Sequence, residues 1–233
     1  MGLESTPASV RPRQTWQRQT AVLIAVWAVL VGIVIGFGKV ITGPLESSID
    51  PPENDLARWF VGERSAARSQ LADVATLLAD TYTVLGVGLA TAVGVWLWRR
   101  EARPVVFVVA TLLGVGALYL LTVTVDPRPR PPVTILDPGL DPMHSFPSGH
   151  VGASIAAYGA VVVLVWAYAR QARWWVTPLV LVPPLVALAR LYEGAHHLSD
   201  VLTSVVYASV WLAATATVCL PYPDAADGSK SRA

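Results

Sequence analysis

The sequence Pro-Ser-Gly-His at residues 147–150 runs directly into the apolar stretch VGASIAAYGAVVVLVWAY at residues 151–168. Such a stretch can cross the hydrocarbon of a bilayer as a helix, which takes on the order of 20 apolar residues. Five further segments qualify, at residues 21–41, 74–98, 104–125, 174–191 and 198–220. Because backbone polar groups in lipid must be satisfied within their own segment, all six are predicted to be helices. The sequence therefore predicts an all-α membrane protein with six transmembrane helices in a bundle.

The composition favours the same class. The chain has 233 residues, of which 54% are hydrophobic and 14% are charged, whereas a soluble domain carries about 25% charged residues. The formal net charge of +1 lacks the basic excess that nucleic-acid binding requires. A single cysteine, Cys219, excludes an intramolecular disulfide and a cysteine-rich metal site. Membrane lipid is the expected partner and nucleic acid is not, while the oligomeric state stays open.

Basic residues fall mainly on one side of a six-helix arrangement. They occupy the amino-terminal tail at 1–20, the turns after the second and fourth helices, and the tail at 221–233: Arg11, Arg13, Arg18, Arg99, Arg100, Arg103, Arg170, Arg173, Lys230 and Arg232. The positive-inside tendency makes that side cytoplasmic. We expect two cytoplasmic tails, the second disordered, around a membrane domain at 21–220.

The loop at residues 43–70 falls on the opposite, extracytoplasmic side. Its second half, 56–71, alternates apolar and charged residues at roughly helical spacing. The spacing predicts a helix along the membrane interface. A helix that covers the bundle is the simpler interpretation, and a helix that gates the entry of substrate is the alternative. Pro178, Pro183 and Pro184 fall inside the fifth segment and predict a kink there.

Three polar clusters also lie on the extracytoplasmic side. In the last cluster His196 and Asp200 are four residues apart at the start of the sixth helix, so their side chains share a face. A carboxylate beside one ring nitrogen fixes the tautomer and leaves the other nitrogen free to attack. Because Asp200 is also three residues from His197, spacing alone leaves both histidines open as the nucleophile. An ordinary helix-start pair is the alternative.

The other two clusters suit the binding of a phosphate. Ser148 and Gly149 begin the fourth helix, where free backbone N–H groups attract anions, and His150 could protonate a leaving oxygen. The guanidinium groups of Arg130 and Arg190 match phosphate geometry. Pro-Ser-Gly is also a common way to begin a helix, and arginines beside prolines can simply anchor a turn at the interface.

These residues resemble the motifs of the type 2 phosphatidic acid phosphatase (PAP2) family, membrane phosphatases whose site is shared with vanadium haloperoxidases. The Pro-Ser-Gly-His motif is complete, Arg130 and Pro131 match the end of the first motif, and Arg190, His196 and Asp200 match the third. The resemblance covers about residues 74–220 and selects His196 over His197. Two positions depart from the family pattern: Val123 replaces a lysine, and Ala189 replaces a serine. Arg128 or Lys39 is the candidate to supply the missing charge.

The resemblance implies a PAP2/haloperoxidase-like bundle in the cell membrane that hydrolyses a lipid phosphate or diphosphate on the extracytoplasmic face. His196 would form a phosphohistidine, Asp200 would orient it, and His150 would protonate the leaving group. The phosphate oxygens would be held by Arg130, Ser148, Gly149 and Arg190, and we expect Arg128 to join them in place of the missing lysine. No metal and no other cofactor are implied. The alternatives are a phosphoryl transferase with the same intermediate and a non-catalytic protein that binds or moves lipid phosphates.

Overall fold

The computed structural model describes residues 12–220, and within them the chain is helical, with one isolated bridge between Arg128 and His144. The predicted tail at 221–233 and the first 11 residues lie outside this range. The helices are α1 (Pro12–Ile41), α2 (Glu46–Gly62), α3 (Ala66–Leu77), α4 (Thr81–Arg99), α5 (Ala102–Val125), α6 (Gly149–Tyr168), α7 (Arg173–Val176), α8 (Val182–Tyr192) and α9 (Leu198–Cys219).

Six helical stretches in the described part of the chain are long and apolar enough to cross a membrane. They are Trp16–Ile41, Thr81–Arg99, Ala102–Val125, Gly149–Tyr168, Arg170–Tyr192 and Leu198–Cys219. The prediction of an all-α, multi-pass bundle with six membrane helices is therefore confirmed. The first helix begins before residue 21, since α1 already starts at Pro12.

The predicted second segment, 74–98, was wrong at its amino end. Its first four residues belong to α3, which ends at Leu77, and α4 begins only at Thr81. Asp80 precedes α4 with an extended backbone, φ −59° and ψ 148°, as is usual for the residue before a helix. The apolar end of α3 and the apolar start of α4 therefore look continuous in hydropathy although the chain turns between them.

The loop at 43–70 folds into two helices rather than one. The first is α2, which includes Pro51 and Pro52, and the second is the start of α3. They are separated at residues 63–65, where the Ser65 hydroxyl accepts a hydrogen bond from the Arg68 amide at 3.4 Å. The continuous helix predicted over 56–71 is thus interrupted by an N-cap, because Ser65 satisfies a free amide of the next helix.

Helix α6 lies at the centre of the bundle and packs against α4, α5, α8 and α9. Two glycines let α9 approach closely: a Cβ on Gly152 would collide with the Tyr207 hydroxyl, and one on Gly159 would collide with Leu212. Small residues have this role in membrane helices generally, since they let backbones come together. The close packing fixes the amino ends of α6 and α9 side by side.

The predicted kink in the fifth membrane segment is present. The segment proceeds through a 3₁₀ turn at Arg170–Ala172, the short α7, and a second 3₁₀ turn at Thr177–Leu181 before α8. Proline lacks the amide that the helical ladder needs, so the regular helix breaks where the prolines cluster. The last turn of α8 carries Arg190, whose side chain is 0% exposed.

Candidate active site

The three polar clusters meet at one end of the bundle. The segment between α5 and α6 lies against the turn before α9: Ser148 donates its amide to the Asp200 carbonyl at 3.3 Å. Arg130 donates to the carbonyls of Ala195 and, at 2.9 Å, His144. The first, second and third motifs therefore form one site, although they are far apart in the chain.

The ring of His196 has a defined orientation. Its Nδ1 lies 2.6 Å from the backbone carbonyl oxygen of Ser145. A carbonyl can only accept a hydrogen bond, so Nδ1 carries the proton and the Nε2 lone pair is free. The side chain is 3% exposed. The geometry gives His196 the tautomer that a nucleophilic Nε2 needs.

Asp200 contacts His196 only at longer range. Its Oδ2 is 3.8 Å from His196 Nδ1, but it accepts hydrogen bonds from the Ser145 hydroxyl at 2.6 Å and from the His197 amide at 2.8 Å. Arg128 Nη1 donates to the other oxygen, Oδ1, at 2.6 Å. The carboxylate thus holds Ser145, and Ser145 holds the imidazole through its carbonyl.

The surroundings of His196 keep it neutral. Burial lowers its pKa to about 4; Asp200 opposes this shift, and the positive charges of Arg190 and Arg130 add to it. Burial disfavours a charged imidazole, and nearby cations disfavour it further. At neutral pH the ring therefore has an unprotonated nitrogen, which nucleophilic attack requires.

Arg190 presents unused hydrogen-bond donors. Its Nη1 donates to Glu193 at 2.7 Å and to Asp137 at 3.3 Å. Its Nε and Nη2 are buried and, like the buried Ser148 hydroxyl, have no hydrogen-bond partner among residues 12–220. Unpartnered buried polar groups are uncommon because each costs about 1–3 kcal/mol. Two such guanidinium atoms and a hydroxyl suit the oxygens of a phosphate.

Arg130 is held in place by backbone oxygens. Its Nε donates to the Asp141 carbonyl at 2.8 Å, in addition to the two carbonyls already named. Burial lowers the pKa of Arg130, and the positive charge of Arg190 lowers it further. An arginine remains charged despite such a shift. Two neighbouring cations at one buried site favour the binding of an anion.

The Pro-Ser-Gly-His motif is the start of α6, as predicted. Ser148 precedes the helix with an extended backbone and makes no side-chain cap. A Cβ on Gly149 would lie 3.0 Å from the Tyr119 ring, so the absent side chain permits tight packing there. His150 Nε2 is 3.7 Å from Asp80 Oδ1, and the first amides of α6 are available to an anion.

Arg128 has a different environment from the one the sequence predicts. Both its Nη atoms are engaged, with Ser199 and Asp200 on one side and Asp50 and Glu53 on the other. A guanidinium so surrounded by carboxylates has little capacity left for a phosphate. This pairing argues against Arg128 as the replacement for the cation missing at Val123, because its charge faces Asp50, Glu53 and Asp200.

Lys39 is likewise paired with a carboxylate. Its Nζ lies 2.9 Å from Asp126 Oδ1 and donates to the Val125 carbonyl at 3.1 Å. Val123 is buried in α5, and Ala189 is buried in α8. Among the described residues, the guanidinium groups that remain for an anion near His196 are those of Arg130 and Arg190.

Several residues of the site could not be identified from sequence motifs. Ser145 acts through its carbonyl, which any residue type would supply, and Glu53 reaches Ser199 from 146 positions away. Asp80 meets His150 only because the chain turns between α3 and α4. Within residues 12–220 no group of three or more His, Cys, Asp or Glu side chains could hold a metal ion.

Comparison with known proteins agrees with this architecture. The model of the PAP2 superfamily matches residues 103–221, just over half of the chain. The fold is similar to the crystal structure of the first transmembrane PAP2 type phosphatidylglycerolphosphate phosphatase from Bacillus subtilis, with a TM-score of 0.63 and 18% sequence identity over 84% of this chain and 92% of that chain. No curated protein sequence matches significantly. The chain belongs to the PAP2 superfamily.

Proposed function

We propose that this protein is a membrane phosphatase that hydrolyses a lipid phosphate through a phosphohistidine on His196. One observation carries the proposal: a neutral, buried imidazole with a free Nε2 shares its site with unpartnered donors of Arg190 and Ser148. A nucleophile and anion-binding donors in one buried site are what phosphoryl transfer requires. Membership of the PAP2 superfamily supports the same reaction class.

The chemistry proceeds in two balanced steps. The Nε2 lone pair of His196 attacks phosphorus, the bond to the ester oxygen breaks, and that oxygen takes a proton from His150, which enters the step as an imidazolium and leaves it neutral. Neutral His150 then removes a proton from water, whose oxygen attacks phosphorus and breaks the P–N bond. Inorganic phosphate leaves, and both histidines return to their starting states. Asp80, 3.7 Å from His150, stabilises the imidazolium when His150 is protonated.

The negative charge that develops on the phosphoryl oxygens meets fixed donors. Arg190 and Arg130 supply two guanidinium groups, and Ser148 and the first amides of α6 supply neutral donors. Donors that are already oriented stabilise a transition state without reorganisation. No step in this scheme uses a metal.

An apolar groove beside the site supports a lipid substrate. It has a volume of about 630 Å³ and lies between α8 and the pair α2 and α3, with walls that include Leu71, Ala75, Leu78, Leu188 and Ala189. Leu78 is two residues before Asp80, which is next to His150. A hydrocarbon chain in this groove would bury apolar surface while its phosphate reached the arginines.

Phosphatidylglycerolphosphate is the first substrate to test, since the similar solved structure is described as its phosphatase. Phosphatidic acid and polyprenyl phosphate or diphosphate complete the panel. We place the reaction on the extracytoplasmic face because basic residues concentrate on the opposite side. The test is phosphate release by purified protein in vesicles, with His196→Ala as the control.

Four further measurements examine the mechanism. Brief reaction with a ³²P-labelled substrate followed by alkaline quench should leave acid-labile label on His196. Vanadate, which adopts the five-coordinate geometry of the transition state, should inhibit. Turnover should survive EDTA, and its loss in EDTA with recovery on adding a divalent ion would contradict the metal-free scheme. Addition of an acceptor alcohol separates hydrolysis from phosphoryl transfer by the product formed.

A further inference from the structure

We propose that Arg128 is a positioning residue: clamped by the carboxylates of helix α2, it fixes Asp200 and, through Ser145, the ring of His196. The inference deepens the proposed function and rests on it. It gives the loop at 43–70 a role in the reaction, because α2 supplies two of the three carboxylates around Arg128.

The contacts of Arg128 define the clamp. Nη1 donates to Asp200 Oδ1 at 2.6 Å and to the Ser199 hydroxyl at 2.7 Å. Nη2 donates to Asp50 at 2.7 Å and to Glu53 at 3.0 Å. The side chain is 2% exposed, and its contact with Asp200, which is 0% exposed, is shielded from water. Such hydrogen bonds between charged groups are stronger than neutral ones.

Glu53 links the clamp to the helix that carries Asp200. Its Oε1 accepts the Ser199 amide at 2.6 Å, and its Oε2 accepts the Ser199 hydroxyl at 3.0 Å. A carboxylate on the first amides of α9 satisfies a free donor and stabilises the positive end of the helix dipole. Glu53 therefore holds the start of α9 and the Arg128 guanidinium at the same time.

A continuous chain of hydrogen bonds leads from Arg128 to His196. The Asp200 carboxylate accepts from Arg128 at one oxygen and from the Ser145 hydroxyl at the other, at 2.6 Å in each case. The Ser145 amide donates to the Arg128 carbonyl at 3.1 Å. Both the side chain and the backbone of Arg128 thus converge on Ser145, whose carbonyl holds His196 Nδ1.

The charges indicate that the clamp positions Asp200 and the start of α9 and does not bind phosphate. One guanidinium meets three carboxylates, so the cluster has no positive charge left to attract a phosphate. Loss of Arg128 would leave Asp200 buried without its cation. Loss of Glu53 would leave Arg128 with Asp50 and Asp200 but would release the start of α9. We therefore expect loss of Arg128 to have a severe effect and loss of Glu53 to have an intermediate one.

Glu53→Gln, for which an intermediate effect is expected, is therefore the main test. We expect Glu53→Gln to lower kcat about tenfold with KM unchanged within about twofold, since orientation of the nucleophile and not ground-state binding is lost. The matched control is Asp55→Asn on the same helix, whose carboxylate is 74% exposed and pairs only with Arg58 among the described residues. That variant should keep the parent kcat and KM.

The second test uses Arg128 itself. Arg128→Lys keeps one charge but loses the two-sided fork, so it should recover part of the activity that Arg128→Gln loses. The Glu53→Gln and Arg128→Gln changes should be non-additive in kcat, because both act through Asp200. Additive losses, or a rise in KM with kcat unchanged, would overturn the positioning role and return Arg128 to phosphate binding.

A readout independent of turnover separates this inference from the proposed function. In protein labelled with ¹⁵N-histidine, the ring nitrogens of His196 should show the single Nδ1–H tautomer in the parent and in Asp55→Asn. Glu53→Gln and Arg128→Gln should show a mixture of tautomers. If the parent has the single tautomer but no turnover on any lipid phosphate, the proposed function fails while the clamp stands. Unchanged spectra in both variants would refute the clamp even in an active enzyme.

Discussion

His196 Nδ1 and the backbone carbonyl oxygen of Ser145 are 2.6 Å apart, closer than His196 is to the carboxylate of Asp200, at 3.8 Å. The carbonyl determines which ring nitrogen carries the proton. Asp200 contributes by holding Ser145 and by balancing the charge of Arg128. Asp200 therefore acts on His196 indirectly, and its influence depends on how firmly the segment before α6 is anchored.

The two neighbouring histidines should differ sharply when substituted. His196→Ala removes the free Nε2 and should lower turnover by at least about 10³-fold in a protein that still folds. His197→Ala keeps the amide that donates to Asp200 and should stay within about tenfold of the parent. Rates of phosphate release check the pair, and a dead His197→Ala beside an active His196→Ala would exchange the assignment.

Loss of the Ser145 hydroxyl should reduce turnover only moderately, because the backbone carbonyl that contacts His196 remains. Ser145→Ala removes the hydrogen bond to Asp200 but leaves the backbone carbonyl that holds His196. We expect a loss of about tenfold in kcat, which corresponds to about 1.4 kcal/mol of transition-state stabilisation. Single-turnover kinetics measure the step directly. A loss as large as that of His196→Ala would mean that the hydroxyl itself contacts the substrate.

The low pKa of His196 predicts a dependence of stability on pH. The folded side chain titrates at about 4, whereas an unfolded histidine titrates at about 6.5. Between these values the unfolded state binds a proton that the folded state does not, so stability falls as the pH is lowered through this window. His196→Asn cannot titrate, and its Tm in detergent should fall less than the parent Tm between about pH 7 and about pH 4.5. Equal declines would contradict the lowered pKa.

Arg190 should contribute to the stability of the fold and, separately, to the binding of phosphate. Arg190→Met leaves Glu193, which is 2% exposed, without its cation, and an unpaired buried charge costs about 3–5 kcal/mol. Burial already raises the pKa of Glu193, an effect that Arg190 opposes. The double variant Arg190→Met/Glu193→Gln should recover much of the lost Tm but none of the turnover, because the phosphate donors remain absent. Recovery of both would make Arg190 a purely structural residue.

The membrane helices and the site differ in how far the sequence determines them. Length and hydropathy predict the six spans because lipid demands long apolar helices. The same criterion misplaced the start of the second span, since Asp80 is the one charged residue between the apolar ends of α3 and α4. Spacing keeps Arg190, His196 and Asp200 close in the chain, at the end of α8, in the turn before α9 and in the first turn of α9. It cannot predict that Arg128 meets Asp50 and Glu53, because those contacts join residues 78 and 75 positions apart.

The side of the membrane that bears the site can be tested by cysteine labelling. Met143 lies in the segment between α5 and α6, and Arg100 precedes the other end of α5. A 24-residue helix spans about 36 Å at about 1.5 Å per residue, so the two positions lie on opposite membrane surfaces.

In a Cys219→Ala background, an impermeant maleimide should label Met143→Cys in intact cells and Arg100→Cys only after permeabilisation, because the arginines around position 100 favour the cytoplasm. Asp55→Cys in α2 should behave like Met143→Cys, since α2 contacts Arg128 in the same segment. The reverse pattern would place His196 on the cytoplasmic face and restrict its substrates to lipid phosphates of the inner leaflet.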